Sequence, residues 1–119
     1  MLERSTSGSE TSARVAFNPD RLVSLFGSHD GVLPILQLAA QLATTIAARL
    51  ALGDDDANGA YHDAHKLKGS AADVGAEELA SLAGDLEREL EHGWSTRARA
   101  IAISLPAAVA RFTDAAGIA

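Results

Sequence analysis

In the segment YHDAHKLKGSAADVG, residues 61–75, a histidine is followed three positions later by a lysine and four positions later by a glycine. On a helix these residues become neighbours on one surface. With about 100° per residue and Ala60 taken as zero, Ala60, Ala64, Leu67, Ala71 and Val74 fall within about 40° of one direction and form a core face. On the same scale Lys68, Tyr61, Ala72, His65 and Gly69 stand at about 80, 100, 120, 140 and 180°, so the spacing predicts that the His65 ring reaches water.

The chemistry open to such a group is nucleophilic. An imidazole with an unperturbed pKa of about 6.5 is largely neutral at pH 7 and needs no activating base. A phosphoryl group on a ring nitrogen remains a good leaving group, so one side chain can both accept and donate it. Lys68 sets an ammonium on the neighbouring side of the same surface, within reach of an anion on the ring. Gly69 is a mid-helix glycine with no turn to make, at a cost of about 1 kcal/mol relative to alanine. Close approach by a partner accounts for that cost. Phosphoryl transfer is accelerated by positioning and by cations around the moving oxygens.

These residues carry a family resemblance. AHKLKGSAADVGAEELASLAGDLE, residues 64–87, resembles the signature of histidine-containing phosphotransfer domains. These are helical bundles that relay phosphoryl groups between receiver domains in bacterial multistep two-component pathways. NPDRLVSLFG, residues 18–27, is similar to the family's short first helix. The resemblance implies that His65 is the phosphoacceptor, Lys68 the charge partner of its phosphate and Gly69 the small residue that gives a receiver access. Ala72 and Asp73 stand where the family often has a small and a polar residue, and Ala83 where many members have cysteine.

The resemblance further implies a stoichiometric phosphocarrier rather than an enzyme. It would take the phosphoryl group from a receiver's aspartyl phosphate, formed by a hybrid sensor histidine kinase, and pass it to another receiver. It implies no cofactor of the chain's own, with Mg²⁺ in the partner receiver. Gly27, Gly31 and Gly53 stand singly and fit no phosphate-loop pattern. Docking is expected to use Tyr61 and Ala72 together with Leu22, Leu25 and Phe26, by apolar contact. The rival function is a helical interaction module that regulates a sensor kinase or receiver without carrying phosphate.

The elements that position this segment read as helices throughout. Residues 1–16, dominated by Ser, Thr, Gly, Glu and Arg, are expected to form a flexible tail or linker. A bundle domain over 17–119 follows. Asn18-Pro19-Asp20 opens a short helix with Leu22, Val23, Leu25 and Phe26 as its apolar side and Gly27 as its stop. A long helix over residues 30–52 carries Ile35, Ala39, Leu42 and Ile46 as its stripe, flanked by Leu36, Leu38, Ala43 and Leu50.

Asp54-Asp55-Asp56 caps the His65 helix, which is expected to run to Gly75. The next helix carries Leu79, Leu82, Ala83, Leu86 and Leu90 on one side, and the acidic run from Asp85 to Glu91 reads as its solvated face. The last, from about Ser95 to Ala115, presents Ala98, Ile101, Leu105, Ala108 and Phe112, and Pro106 is expected to bend it. Trp94 reads as an anchor closing the bundle end. The fold class is all-α, an antiparallel four-helix bundle with a short extra N-terminal helix.

Composition excludes several classes. A chain of 119 residues leaves room for one domain. A net charge of −6 opposes binding to nucleic acid, whose affinity rests on Lys and Arg. Zero Cys removes thiolate zinc sites, disulfides and thiol catalysis, and fits a cytoplasmic protein or the cytoplasmic domain of a larger membrane-bound sensor. Residues 32–52 are interrupted by Gln37, Gln41, Thr44, Thr45 and Arg49 and read as a buried soluble helix, not a membrane span. The first sixteen residues lack the pattern of a secretory signal. His62 and His65 diverge by about 60° and share no evident third metal ligand. His62 reads as a solvated flank, and His29 and His92 as loop or cap residues. The chain is expected to be a monomer.

Overall fold

The computed structural model describes residues 15–27 and 30–118. His29 and most of the expected N-terminal tail lie outside them. The described residues form α1 (Asp20–Phe26), a 3-10 turn (Asp30–Val32), α2 (Leu33–Leu52), α3 (Ala57–Asp73), α4 (Glu77–Leu90) and α5 (Thr96–Ala116). There is no strand among them. The four long helices form a closed ring of neighbours, α2 against α3, α3 against α4, α4 against α5 and α5 back against α2. That is the antiparallel bundle with a short leading helix expected from the sequence.

Local chemistry sets the helix ends. The Asp56 carboxylate accepts the Gly59 N–H at 2.8 Å, and the Ser95 hydroxyl oxygen accepts the Ala98 N–H at 2.9 Å, so both long connections end in a capping side chain. Helix α5 continues unbroken through Pro106. Trp94 packs against the core, donates its indole N–H to the Asp55 carbonyl at 2.8 Å and carries the Arg99 guanidinium 4.9 Å above its ring.

The corner between α3 and α4 is held by the chain that precedes α1. Asn18 donates its backbone N–H to the Gly75 carbonyl at 2.7 Å and its amide to Glu77 at 2.8 Å, while its side-chain oxygen accepts the Asp20 N–H. The Val15 carbonyl accepts the Glu78 N–H at 2.8 Å, one of the donors that a helix start leaves without an intrahelical partner. The packed chain therefore reaches back to Val15. Phe17 meets Phe112 with ring centroids 6.0 Å apart.

Two expectations about faces are corrected. Leu22 is buried, at 1% exposure, and is the one residue of α1 that reaches the core, so it cannot touch a partner. The stripe assigned to α2 is rotated: Leu36, Ala43, Ile46, Ala47 and Leu50 are buried, whereas Ile35, Leu38 and Leu42 are exposed. A helix this rich in apolar residues has no polar side sharp enough to fix its rotation. By length and composition α2 would pass for a membrane span, with a mean hydropathy of 1.4. Its place is that of a bundle helix, packed on α3 and α5, with Arg49 on its outer side paired to Asp63 at 2.9 Å.

Gly75 is the residue on which the α3–α4 corner turns. Its φ is +84°, and an added Cβ would stand 2.0 Å from the Asn18 carbonyl oxygen. Gly75→Ala is expected to destabilise the protein by about 2 kcal/mol or more in urea unfolding, because strain and collision act together. Unchanged stability would show that the corner does not depend on this close approach.

Candidate functional site

Helix α3 enters the bundle on Ala60, Ala64, Leu67 and Ala71, all buried, with Val74 closing the row just past its end. This is the core face given by the spacing, and it turns His65 outward. The His65 side chain is 65% exposed. Gly69, one turn on, is exposed, and a Cβ built on it would meet nothing within 4 Å. Ala72 is exposed as well. The surface beyond the ring toward the C-terminal end of α3 is thus low and open.

The feature that the sequence reading missed is Glu87. The acidic run places it on the solvated face of α4, yet its side chain is only 9% exposed and it lies among Ala83, Leu86 and Leu90. One carboxylate oxygen stands 2.6 Å from His65 Nδ1 and the other accepts from Lys68 Nζ at 2.6 Å. The signal was present: Glu87 is four residues after Ala83 and three before Leu90, which puts it on the buried side of α4.

Burial by itself pushes the Glu87 carboxyl upward, but the hydrogen bonds and charges of Lys68 and His65 outweigh it and hold the group below the usual carboxylate range. Glu87 is therefore ionised and can only accept. It follows that Nδ1 of His65 carries the proton and donates it to Glu87, and that in the neutral ring Nε2, on the far side, carries the free lone pair. One buried carboxylate orients the imidazole, selects its tautomer and anchors a cation beside it.

The remaining expected site residues are dispersed. Tyr61 is half-buried against the core, and its ring meets that of exposed His62 edge-on with centroids 5.9 Å apart. Leu25 and Phe26 of α1 are 60% and 54% exposed. Arg21 of α1 lies 3.7 Å from Asp73, which places that helix beside the C-terminal end of α3. Leu38 and Leu42 share the side of α2 that carries Arg49, about three and two turns nearer its N-terminus respectively. Since Arg49 meets Asp63 of antiparallel α3, they flank α3 near and beyond Ser70. Among the described residues no group of three or more His, Asp or Glu side chains is arranged to hold a metal ion.

A four-helix bundle that presents one oriented, solvent-facing imidazole with a cation tied beside it defines a class of small helical modules built around a single histidine. The Hpt domain family model matches residues 34–115. The chain belongs to the Hpt domain family, whose members act in histidine phosphotransfer within phosphorelay signalling and interact with receiver domains and kinases of two-component systems. They are phosphocarriers rather than true enzymes. Neither the curated proteins nor the solved structures provide a match to this chain.

Replacing the Glu87 carboxylate tests the clamp through its ionisation. Glu87→Gln is expected to lower stability at neutral pH by about 1 kcal/mol, a modest figure because Lys68 and His65 are partly exposed and screened. A carboxyl held low in the folded state stabilises at pH values above its unfolded pKa of about 4.3 and loses that contribution as pH falls through its folded value. The gap between wild type and Glu87→Gln should accordingly close in acid, measured by urea unfolding between about pH 7 and about pH 3. A gap constant across that range would mean that ionised Glu87 is not its source.

Proposed function

We propose that this chain is a phosphorelay intermediate in which His65 Nε2 accepts a phosphoryl group from the aspartyl phosphate of one receiver domain and passes it to another. The observation that carries the reading is the Glu87 clamp, which occupies Nδ1 and leaves Nε2 as the free, water-facing nucleophile. In the forward step the Nε2 lone pair forms a bond to phosphorus while the bond from phosphorus to the aspartyl oxygen breaks, releasing a carboxylate. No proton has to leave Nε2 first, since the ring proton already sits on Nδ1. The positive charge that develops on the ring is stabilised by Glu87.

Lys68 is the cation nearest the transferred oxygens and meets them from its place beside Glu87. Gly69 and Ala72 leave room for the receiver's loops, and exposed Leu25, Phe26, Leu38 and Leu42 supply apolar docking area around them. Leu38 and Leu42 replace Leu22 in that role. The partners are receiver domains and a hybrid sensor kinase, with Mg²⁺ in the receiver, and the chain works as a monomer in the cytoplasm or on the cytoplasmic side of a larger sensor. The acidic chain gains little long-range steering toward an acidic receiver, so apolar contact must dominate affinity.

Incubation with a phosphorylated receiver should yield an acid-labile, base-stable phosphate on the protein. His65→Gln should abolish it with helical content intact, and undiminished transfer in that variant would overturn the assignment. Lys68→Ala should slow transfer about tenfold without eliminating it, the loss of one charge-assisted contact in the transition state. An unchanged rate would show the ammonium to be incidental. Gly69→Ala should raise thermal stability by up to about 1 kcal/mol through helix propensity and yet slow transfer. Faster or equal transfer would show that no partner backbone comes close there.

A further inference from the structure

Gly84 is buried in the middle of α4, where the chain has no turn to make and glycine is the weakest ordinary helix former. Packing gives the reason for it. A Cβ built on Gly84 would stand 3.2 Å from Lys68 Cδ and 3.9 Å from Lys68 Cγ, tighter than an ordinary carbon contact at its nearest point. The same position would lie 3.8 Å from a guanidinium nitrogen of Arg88, which is held in turn by Asp85. The Lys68 stem thus lies across the bare backbone of Gly84, with Arg88 beside it, and its ammonium ends on Glu87 one turn along α4. At Gly69, by contrast, the space is open.

We propose that Gly84 is a positioning residue for the phosphoryl site, its missing side chain forming the seat that holds the Lys68 stem down so that the ammonium stays beside Glu87 and His65. Gly84 touches neither the imidazole nor the incoming group. It acts through Lys68, whose methylenes gain a flat surface to pack on and whose head is kept within reach of the transferred oxygens. A side chain at position 84 would lift the stem, and because the Lys68 backbone is fixed in α3 the lifted stem withdraws its ammonium from Glu87. The functional consequence rests on the carrier reading above, whereas the seat itself does not.

Two measurements keep these apart. In the first, the carboxyl carbon of Glu87 is titrated by NMR. Lys68→Ala should raise its midpoint, Gly84→Ala should move it part of the way, and Gly84→Met, which fills the seat with an unbranched helix former, should move it nearly as far. In the second, transfer from a phosphorylated receiver should slow about threefold in Gly84→Ala and about tenfold in Gly84→Met. Neither substitution should slow Lys68→Ala further, because all act through one ammonium.

Thermal melts of the alanine variant should not fall, since alanine is the better helix former. An unchanged Glu87 midpoint in Gly84→Met, an unchanged transfer rate, or full additivity with Lys68→Ala would each overturn the proposal. Failure of the wild-type protein to accept phosphoryl from any receiver would instead sink the carrier reading, and the carboxyl titration would still decide the seat.

Discussion

A carboxylate buried between two helices is costly unless its oxygens are paired, and Glu87 is paired on both sides. The pairing lets α4 bury a charged residue in its otherwise apolar row, and it gives the α3–α4 contact a register, since both donors come from α3. It also sets the proton position on His65. Packing and chemistry are therefore constrained by the same two hydrogen bonds, each 2.6 Å long. Removing either donor would leave a buried charge with half its compensation.

For that carboxylate to reach the imidazole, α3 and α4 must lie close, and small side chains make this possible. Ala60, Ala64 and Ala71 line the buried side of α3, and Ala83 and Gly84 that of α4. Such residues bury little area each, so the larger side chains Leu67, Leu79, Leu86, Leu105 and Phe112 supply the bulk of the core. The result divides labour within one interface. Large side chains hold the bundle together, and small ones bring the functional groups within hydrogen-bonding distance.

The surface around His65 is similarly divided. Toward the C-terminal end of α3 it is bare, with Gly69 and Ala72, while the exposed leucines and phenylalanine are carried by α1 and α2. Ion pairs elsewhere on the surface, such as Arg111 with Glu78 and Arg97 with Glu89, are exposed and contribute little to stability. In a chain of net charge −6, Lys68 is a cation held beside the exposed imidazole.

The helical period determined that His65 faces water and that Ala60, Ala64, Leu67, Ala71 and Val74 face inward, and capping residue types placed helix starts at Asp54-Asp55-Asp56 and about Ser95, because these depend on spacing and on backbone groups a few residues away. Tertiary packing decided the rest. Which side of α2 is buried was not legible, since Ile35, Leu38 and Leu42 are as apolar as the Leu36 and Ile46 that won the core. Leu22 is buried on a helix whose approach Asn18 bonds to the α3–α4 corner, a contact made across the 57 residues of sequence from Asn18 to Gly75. Glu87 read as a surface charge because its partners lie 19 and 22 residues away, and a carboxylate's burial is decided by what meets it across the helix interface.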